Sequence, residues 1–364
     1  MGLIYVILYK GNSNGLIEFS YIVKITKLYS HYVVNTSICE LCCNFINKGG
    51  DRMPIKNHLT GIKNLTRQDI EEVIKVAKGI EDIMTGKSKL KPLKDKVLGT
   101  MFYEPSTRTR LSFETAMLRL GGKVVSVADA QTTTSVWKGE TLQDTIRTID
   151  NYVDAIVLRH FEVGAAEMAA KYSKVPILNA GDGSNEHPTQ TLLDMLTIYK
   201  ERGTLDGLKV VMVGDLKHTR STNSLTLGLS NFDVEFVFVN PKGFDTSQWI
   251  LDIIKERGIK YTQTDNLKEA VKDADVLYIS RIQKERMDAP EYEKIAGAYV
   301  VDRAVLNEAT KVVTVMHHLP RVGELAEDVD DYEGAAYFRQ TYNGMLVRGA
   351  LLTILLNKVP EGIL

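Results

Sequence analysis

The chain has 364 residues, 44% of them hydrophobic and 25% charged, a globular balance long enough for two packed cores and unlike that of a disordered protein. Its 45 Lys and Arg against 46 Asp and Glu leave a net charge of -1, which argues against a sequence-independent grip on nucleic acid or an anionic membrane and confines any basic site to a local cluster. No apolar run approaches the roughly 18 residues needed to cross a bilayer, and Leu3 to Leu8 follows no basic residue as a secretory signal would, so a cytoplasmic protein is expected.

Residues 1–52 are rich in Tyr, Asn, Ile and Cys without a sustained helical or strand period, and read as a poorly ordered or spurious extension ahead of a folded chain starting at Met53. All three cysteines lie here, at Cys39, Cys42 and Cys43. A tetrahedral zinc site would need two more ligands, and only scattered histidines such as His31 and His58 are near, so ordinary thiols and no metal are expected.

Thr66 with Asp69 three residues on has the form of a capping box, and Ile70, Val73, Ile74, Ala77 and Ile80 then recur at helical spacing until Gly86. Short apolar runs bounded by turn residues follow at Val97–Tyr103, Lys123–Val127, Ala155–Leu158 and Val175–Leu178, separated by helical stretches. Such runs indicate parallel strands buried on both faces by crossover helices. A long helix over Asn185–Arg202 and a hinge at Gly203 precede a second series of strands: Lys209–Val213, Val234–Val239, Val276–Ile279, Tyr299–Val301 and Val312–Met316. A last helix is expected over Gly344–Asn357. The fold class is therefore α/β, with two doubly wound parallel-sheet domains at residues 53–200 and 201–343, and a C-terminal helix at 344–364 returning to the first domain.

Chemistry-bearing residues sit just past strand ends. Glu104-Pro105-Ser106-Thr107-Arg108-Thr109-Arg110 closes one strand and opens a helix, where free amides, the helix dipole, three hydroxyls and the Arg108 fork suit an anion. A Ser N-cap followed by surface arginines would have the same letters. His187 and Gln190, in Glu186-His187-Pro188-Thr189-Gln190, share one helical face by spacing, although a helix-start histidine without catalytic duty is the commoner case. Arg159 follows a strand, as do Arg220 and the Arg281-Ile282-Gln283 triplet in the second half. Two guanidinium groups facing an anion cradle suit a small substrate with two carboxylates. The strand before Gly214-Asp215-Leu216-Lys217 lacks the Gly-x-Gly-x-x-Gly turn of a dinucleotide site, so no such cofactor is expected. Ser135-Val136-Trp137-Lys138-Gly139 reads by itself as a mobile loop with a solvated lysine.

Together these segments resemble the aspartate and ornithine transcarbamylase family from about Met53 to Asn357. The Ser-Thr-Arg-Thr-Arg and His-Pro-x-Gln stretches are similar to features of the whole family; Lys138, Arg220 and Arg281-Ile282-Gln283 are similar to its aspartate-using members. Ornithine-using members carry a Cys in a late His-Cys-Leu-Pro stretch, and here no Cys follows Cys43. The resemblance implies transfer of a carbamoyl group from carbamoyl phosphate to aspartate, an early step of pyrimidine synthesis, with no cofactor. It implies that Ser106, Thr107, Arg108 and Thr109 hold the phosphate, and that Thr109, Arg159 and His187 surround the carbonyl oxygen. Gln190 and the Leu319-Pro320 backbone would bind the carbamoyl amine, and Arg220, Arg281 and Gln283 the aspartate carboxylates. Ser135 and Lys138 would reach a neighbouring subunit's site, giving a homotrimer with shared sites, which in relatives also binds separate regulatory chains. One departure stands out: where the family reads His-Pro-Leu-Pro, this chain has His317-His318-Leu319-Pro320.

Overall fold

The computed structural model describes residues 9–11, 17–19, 57–282 and 299–363. The chain divides into two compact units, Met1–Arg52 and Met53–Leu364. In the first, β1 (Tyr9–Gly11) pairs antiparallel with β2 (Ile17–Phe19). Otherwise the expectations for residues 1–52, including the three cysteines, lie outside the described residues.

In the second unit, helix α1 (Arg67–Gly79) begins at the expected capping box: the Asp69 amide donates to the Thr66 hydroxyl and the Thr66 amide to the Asp69 carboxylate. A break at Ile80 separates it from α2 (Glu81–Thr85), which ends at Gly86 in the left-handed region. Strands β3 (Val97–Phe102), β4 (Lys123–Val127), β5 (Ala155–His160) and β6 (Ile177–Asp182) form a parallel sheet in the order β4-β3-β5-β6. Helices α3 (Thr107–Arg119), α4 (Ala130–Thr133), α5 (Leu142–Ile149) and α6 (Ala165–Tyr172) connect these strands, and α7 (Pro188–Arg202) leads out, ending at Gly203 with φ 77°.

A second parallel sheet follows, built from β7 (Leu208–Gly214), β8 (Val234–Val239), β9 (Lys260–Thr264), β10 (Val276–Ser280) and β11 (Thr314–His317), in the order β11-β10-β7-β8-β9. Helices α8 (Arg220–Leu229), α9 (Gln248–Glu256), α10 (Leu267–Val271) and α11 (Arg303–Leu306) accompany it. The last helix, α12 (Tyr337–Leu355), packs back on α1, α3 and α7 of the first sheet's domain. Its buried Leu346, Val347, Ala350, Leu351 and Ile354 join a core that also holds Leu98 of β3 and Val210 of β7, each buried aliphatic chain contributing about 1.5 to 3 kcal/mol.

Several element expectations need correction, among them the starts of α7, at Pro188 rather than Asn185, and of β11, at Thr314 rather than Val312. Tyr299–Val301 is not a strand, because Val301 makes only an isolated bridge to Leu325 and Asp302 at once caps α11 by accepting the Val305 amide. Strand β9 was missed since Lys-Tyr-Thr-Gln-Thr is polar, as befits an exposed edge. β6 starts at Ile177 rather than Val175, after Pro176, which has no N–H for the ladder. Helix α12 starts at Tyr337, not Gly344, because its first turns bury Gln340 and Asn343, polar residues that interrupt an apolar period yet are hydrogen-bonded.

The strand orders place the site. Each sheet reverses direction beside its first strand, between β3 and β5 in one and between β7 and β10 in the other. Ligands of open α/β sheets bind at the carboxyl ends of the strands flanking such a reversal. Gly214, at the end of β7, has φ 119°, and a Cβ there would lie 2.1 Å from the Ser280 carbonyl oxygen across the second reversal. Replacing Gly214 with Ala is therefore expected to cost about 3 kcal/mol or more, read as a lower urea midpoint of unfolding; an unchanged midpoint would contradict this close approach.

Candidate active site

The first reversal opens onto α3. Ser106 takes the N-cap position but its side chain caps nothing, and the first turn carries no acid. The Ser-cap alternative is thus not what the structure adopts, and the first-turn amides are left for an anion. Among the described residues no hydrogen bond or ion pair engages the Arg108 guanidinium, whose pKa is lowered by burial and then by the neighbouring Arg281. Two cations held together at the mouth of a helix dipole favour a ligand of high negative charge.

Arg159 pairs with Phe102 across β3 and β5, so both strand ends deliver side chains to one place. Its guanidinium donates to the Ala180 carbonyl at 3.2 Å and lies 3.4 Å from the Glu104 carboxylate. Glu104 also meets Arg220 of the second domain at 3.4 Å, and Arg220, only 6% exposed, donates to the Gly183 carbonyl as well. One carboxylate therefore aligns two arginines from different domains. Sequence reading passed over Glu104, although its place directly past β3 is the same signal that marked Arg159.

His187 is the N-cap of α7 rather than a residue of its first turn, so the shared helical face inferred from its spacing to Gln190 does not exist. Its backbone amide donates to the Ser224 hydroxyl, and both His187 and Gln190 still line the cleft. Burial, then Arg220, Arg159, Arg348 and His318, hold the His187 pKa well below the usual histidine value, so the ring is neutral. Its Nδ1 is buried and has no hydrogen-bond partner among the described residues. A buried N–H without an acceptor is costly, which places the proton on Nε2 as a donor for the cleft.

Gln190 donates from Nε2 to Asp194, a fully buried carboxylate that also accepts from Gln340 Nε2 at 2.6 Å and from the Tyr278 hydroxyl at 2.9 Å. Burial pushes Asp194 up to about 7 against these bonds, and burial likewise brings the nearby Arg348 down to about 9.

From the second reversal come Thr219, Arg220 and Ser221 after β7 and Arg281 after β10; the Ser280 hydroxyl donates to Thr219 and ties the two exits together. After β11 the turn bends through Leu319 at φ 55° and a cis Leu319-Pro320 bond, with the Leu319 amide donating to His317 Nδ1 at 2.8 Å. His318, in the position that departs from the family pattern, contributes to the same wall, its Nδ1 buried and without a hydrogen-bond partner among the described residues.

One cleft of about 620 Å³ thus collects Ser106, Thr107, Arg108, Thr109, Arg159, His187, Gln190, Arg220, Arg281, Leu319 and Pro320. Ser135 and Lys138 line a separate hollow beside Trp137, which is 75% exposed. Gln283 lies outside the described residues.

Known sequences and structures agree with this geometry. The family profile described as aspartate/ornithine carbamoyltransferase, carbamoyl-P binding domain, matches residues 57–201, and the companion Asp/Orn binding domain matches residues 206–355. The chain belongs to the aspartate/ornithine carbamoyltransferase family. It is 50% identical over 297 residues to the aspartate carbamoyltransferase catalytic subunit of Methanocaldococcus jannaschii, covering 81% of this chain and 96% of that protein. Against the corresponding subunit of Thermococcus gammatolerans it is 48% identical, covering 81% and 96%. A crystal structure of the M. jannaschii catalytic subunit superposes with a TM-score of 0.77 at 49% identity, covering 84% of this chain and 99% of that one. Aspartate transcarbamoylase of Trypanosoma cruzi, in complex with carbamoyl phosphate and aspartate, superposes at 0.78 with 37% identity, covering 82% and 96%.

Proposed function

We propose that this carbamoyltransferase moves the carbamoyl group of carbamoyl phosphate onto the amino group of L-aspartate, giving N-carbamoyl-L-aspartate and phosphate. The observation that carries this reading is that the two strand reversals open into one cleft, with Arg108 at the α3 amides on one side and Arg220 and Arg281 on the other. The T. cruzi relative crystallised with both substrates supports it.

In this reading the α3 amides, Ser106, Thr107, Arg108 and Thr109 hold the phosphate, while Arg220, Arg281 and Gln283 hold the aspartate carboxylates. The amine attacks the carbamoyl carbon, negative charge builds on the carbonyl oxygen beside Thr109, Arg159 and His187 Nε2–H, and the C–O bond to phosphate breaks as the amine proton passes to the departing phosphate. Fixing two reactants in line supplies up to about 7 to 11 kcal/mol in favourable cases, and preorganised donors lower the oxyanion further.

The reading extends to a cytoplasmic homotrimer feeding pyrimidine synthesis, with Ser135 and Lys138 completing a neighbour's site and with separate regulatory chains as further partners. It also takes residues 53–200 and 201–343 as the two substrate domains, 344–364 as the returning C-terminal segment, and 1–52 as dispensable. The test is a ureido-product assay on protein starting at Met53, offered carbamoyl phosphate with aspartate, ornithine or N-acetylornithine in turn. Product with aspartate alone is expected; product with ornithine would reassign the acceptor, and none with any would remove the activity.

A further inference from the structure

Asp194 is fully buried on α7, one turn beyond Gln190, and every hydrogen bond the structure gives its side chain is accepted from another side chain. Oδ1 takes the amide N–H groups of Gln190 at 2.8 Å and Gln340 at 2.6 Å, and Oδ2 takes the Tyr278 hydroxyl at 2.9 Å. The three donors around it favour the ionised form, which only accepts, so each amide turns its nitrogen inward to meet it. For Gln190, at the cleft wall, this leaves Oε1 on the other side. For Gln340 it leaves Oε1 to accept the His317 backbone amide at 3.1 Å, at the base of the turn carrying Leu319 and Pro320.

We propose that Asp194 is a positioning residue for recognition of the carbamoyl NH2: it fixes the Gln190 amide with its oxygen toward the cleft, and through Gln340 it holds the His317–Pro320 turn in the same register. Both groups assigned to the carbamoyl NH2 are then oriented by one carboxylate, and the site presents acceptors where the substrate presents donors. This rests on the reading of Gln190 and the Leu319-Pro320 backbone as the carbamoyl-amine site.

The experiment compares binding of carbamoyl phosphate with acetyl phosphate, which has a methyl in place of the NH2 and so does not depend on those acceptors. In Asp194→Leu, no acceptor faces the Gln190 and Gln340 nitrogens, which removes the reason for the Gln190 nitrogen to point inward. Carbamoyl phosphate is expected to weaken about tenfold, acetyl phosphate little, so that the ratio of their dissociation constants collapses. Asp194→Asn, whose oxygen can face both glutamine nitrogens while its NH2 donates to the Tyr278 hydroxyl, is expected to keep the ratio, and it provides a second reading should Asp194→Leu fold poorly. Equal weakening of both ligands in Asp194→Leu, or a collapsed ratio in Asp194→Asn, would mean a merely structural carboxylate and overturn the proposal. Gln190→Ala separates the two levels. If it collapses the ratio and Asp194→Leu does not, positioning fails alone; if neither changes it, the amine-site reading fails and takes the positioning with it.

Discussion

Arg108→Ala is expected to lower turnover by about 10²- to 10³-fold, or about 3 to 4 kcal/mol of activation free energy, as loss of a preorganised charge-stabilising donor does elsewhere. The reason lies in the empty-handed state of the side chain: it sits at the start of α3 beside Arg281, with no acid in that turn. In the proposed role such a cation would be compensated by the phosphate dianion, and charge would grow on that phosphate as the C–O bond breaks, so the attraction would strengthen toward the transition state. Because the guanidinium makes no hydrogen bond or ion pair among the described residues, the melting temperature should hold or rise, which separates a catalytic loss from unfolding. Arg108→Lys should recover only part of the turnover, since a point charge lacks the planar fork. A variant with normal turnover and only a raised Michaelis constant would show that Arg108 holds the ground state alone.

Much of this site was legible because strand ends are easy to see in sequence. Phe102, Leu158, Leu178, Val213 and Ile279 end apolar runs, and Arg108, Arg159, His187, Arg220 and Arg281 follow them; parallel sheets send such residues to one edge. What was not legible is partnership across the chain. Glu104 acquires its role only when Arg159 and Arg220 arrive from distant segments, and Asp194 only when Tyr278 and Gln340 do. In sequence Asp194 is one acid in a helix of mixed character, and its complete burial has no local cause. Gln340 hides by the opposite route: as a buried polar residue it erased the apolar period that would have shown where α12 begins. The fold was therefore readable from periodicity, and the first layer of the site from position, while the layer beneath it depends on tertiary contacts.

The proposed sharing of sites between subunits has a sharper test than any single variant. Ser135 and Lys138 occupy an exposed turn after β4 and line a hollow that does not include Arg108, Arg159 or Arg220. Around that hollow Trp137, Tyr152 and Val125 are large apolar residues left exposed, the signature of a surface that meets another protein. If the surface meets a second copy and delivers Lys138 to its cleft, Lys138→Ala and Arg108→Ala should each be nearly inactive, yet each carries the part the other lacks. Dissociating the two variants and reassociating them together should then restore activity. In a cyclic trimer assembled at random from equal amounts, a site is intact only when its cleft comes from Lys138→Ala and its loop from Arg108→Ala, so about one quarter of the wild-type activity should return. Two variants that stay inactive after reassembly into trimers would place Lys138 in its own chain's chemistry or in none, because complementation requires the two residues to meet across a subunit boundary.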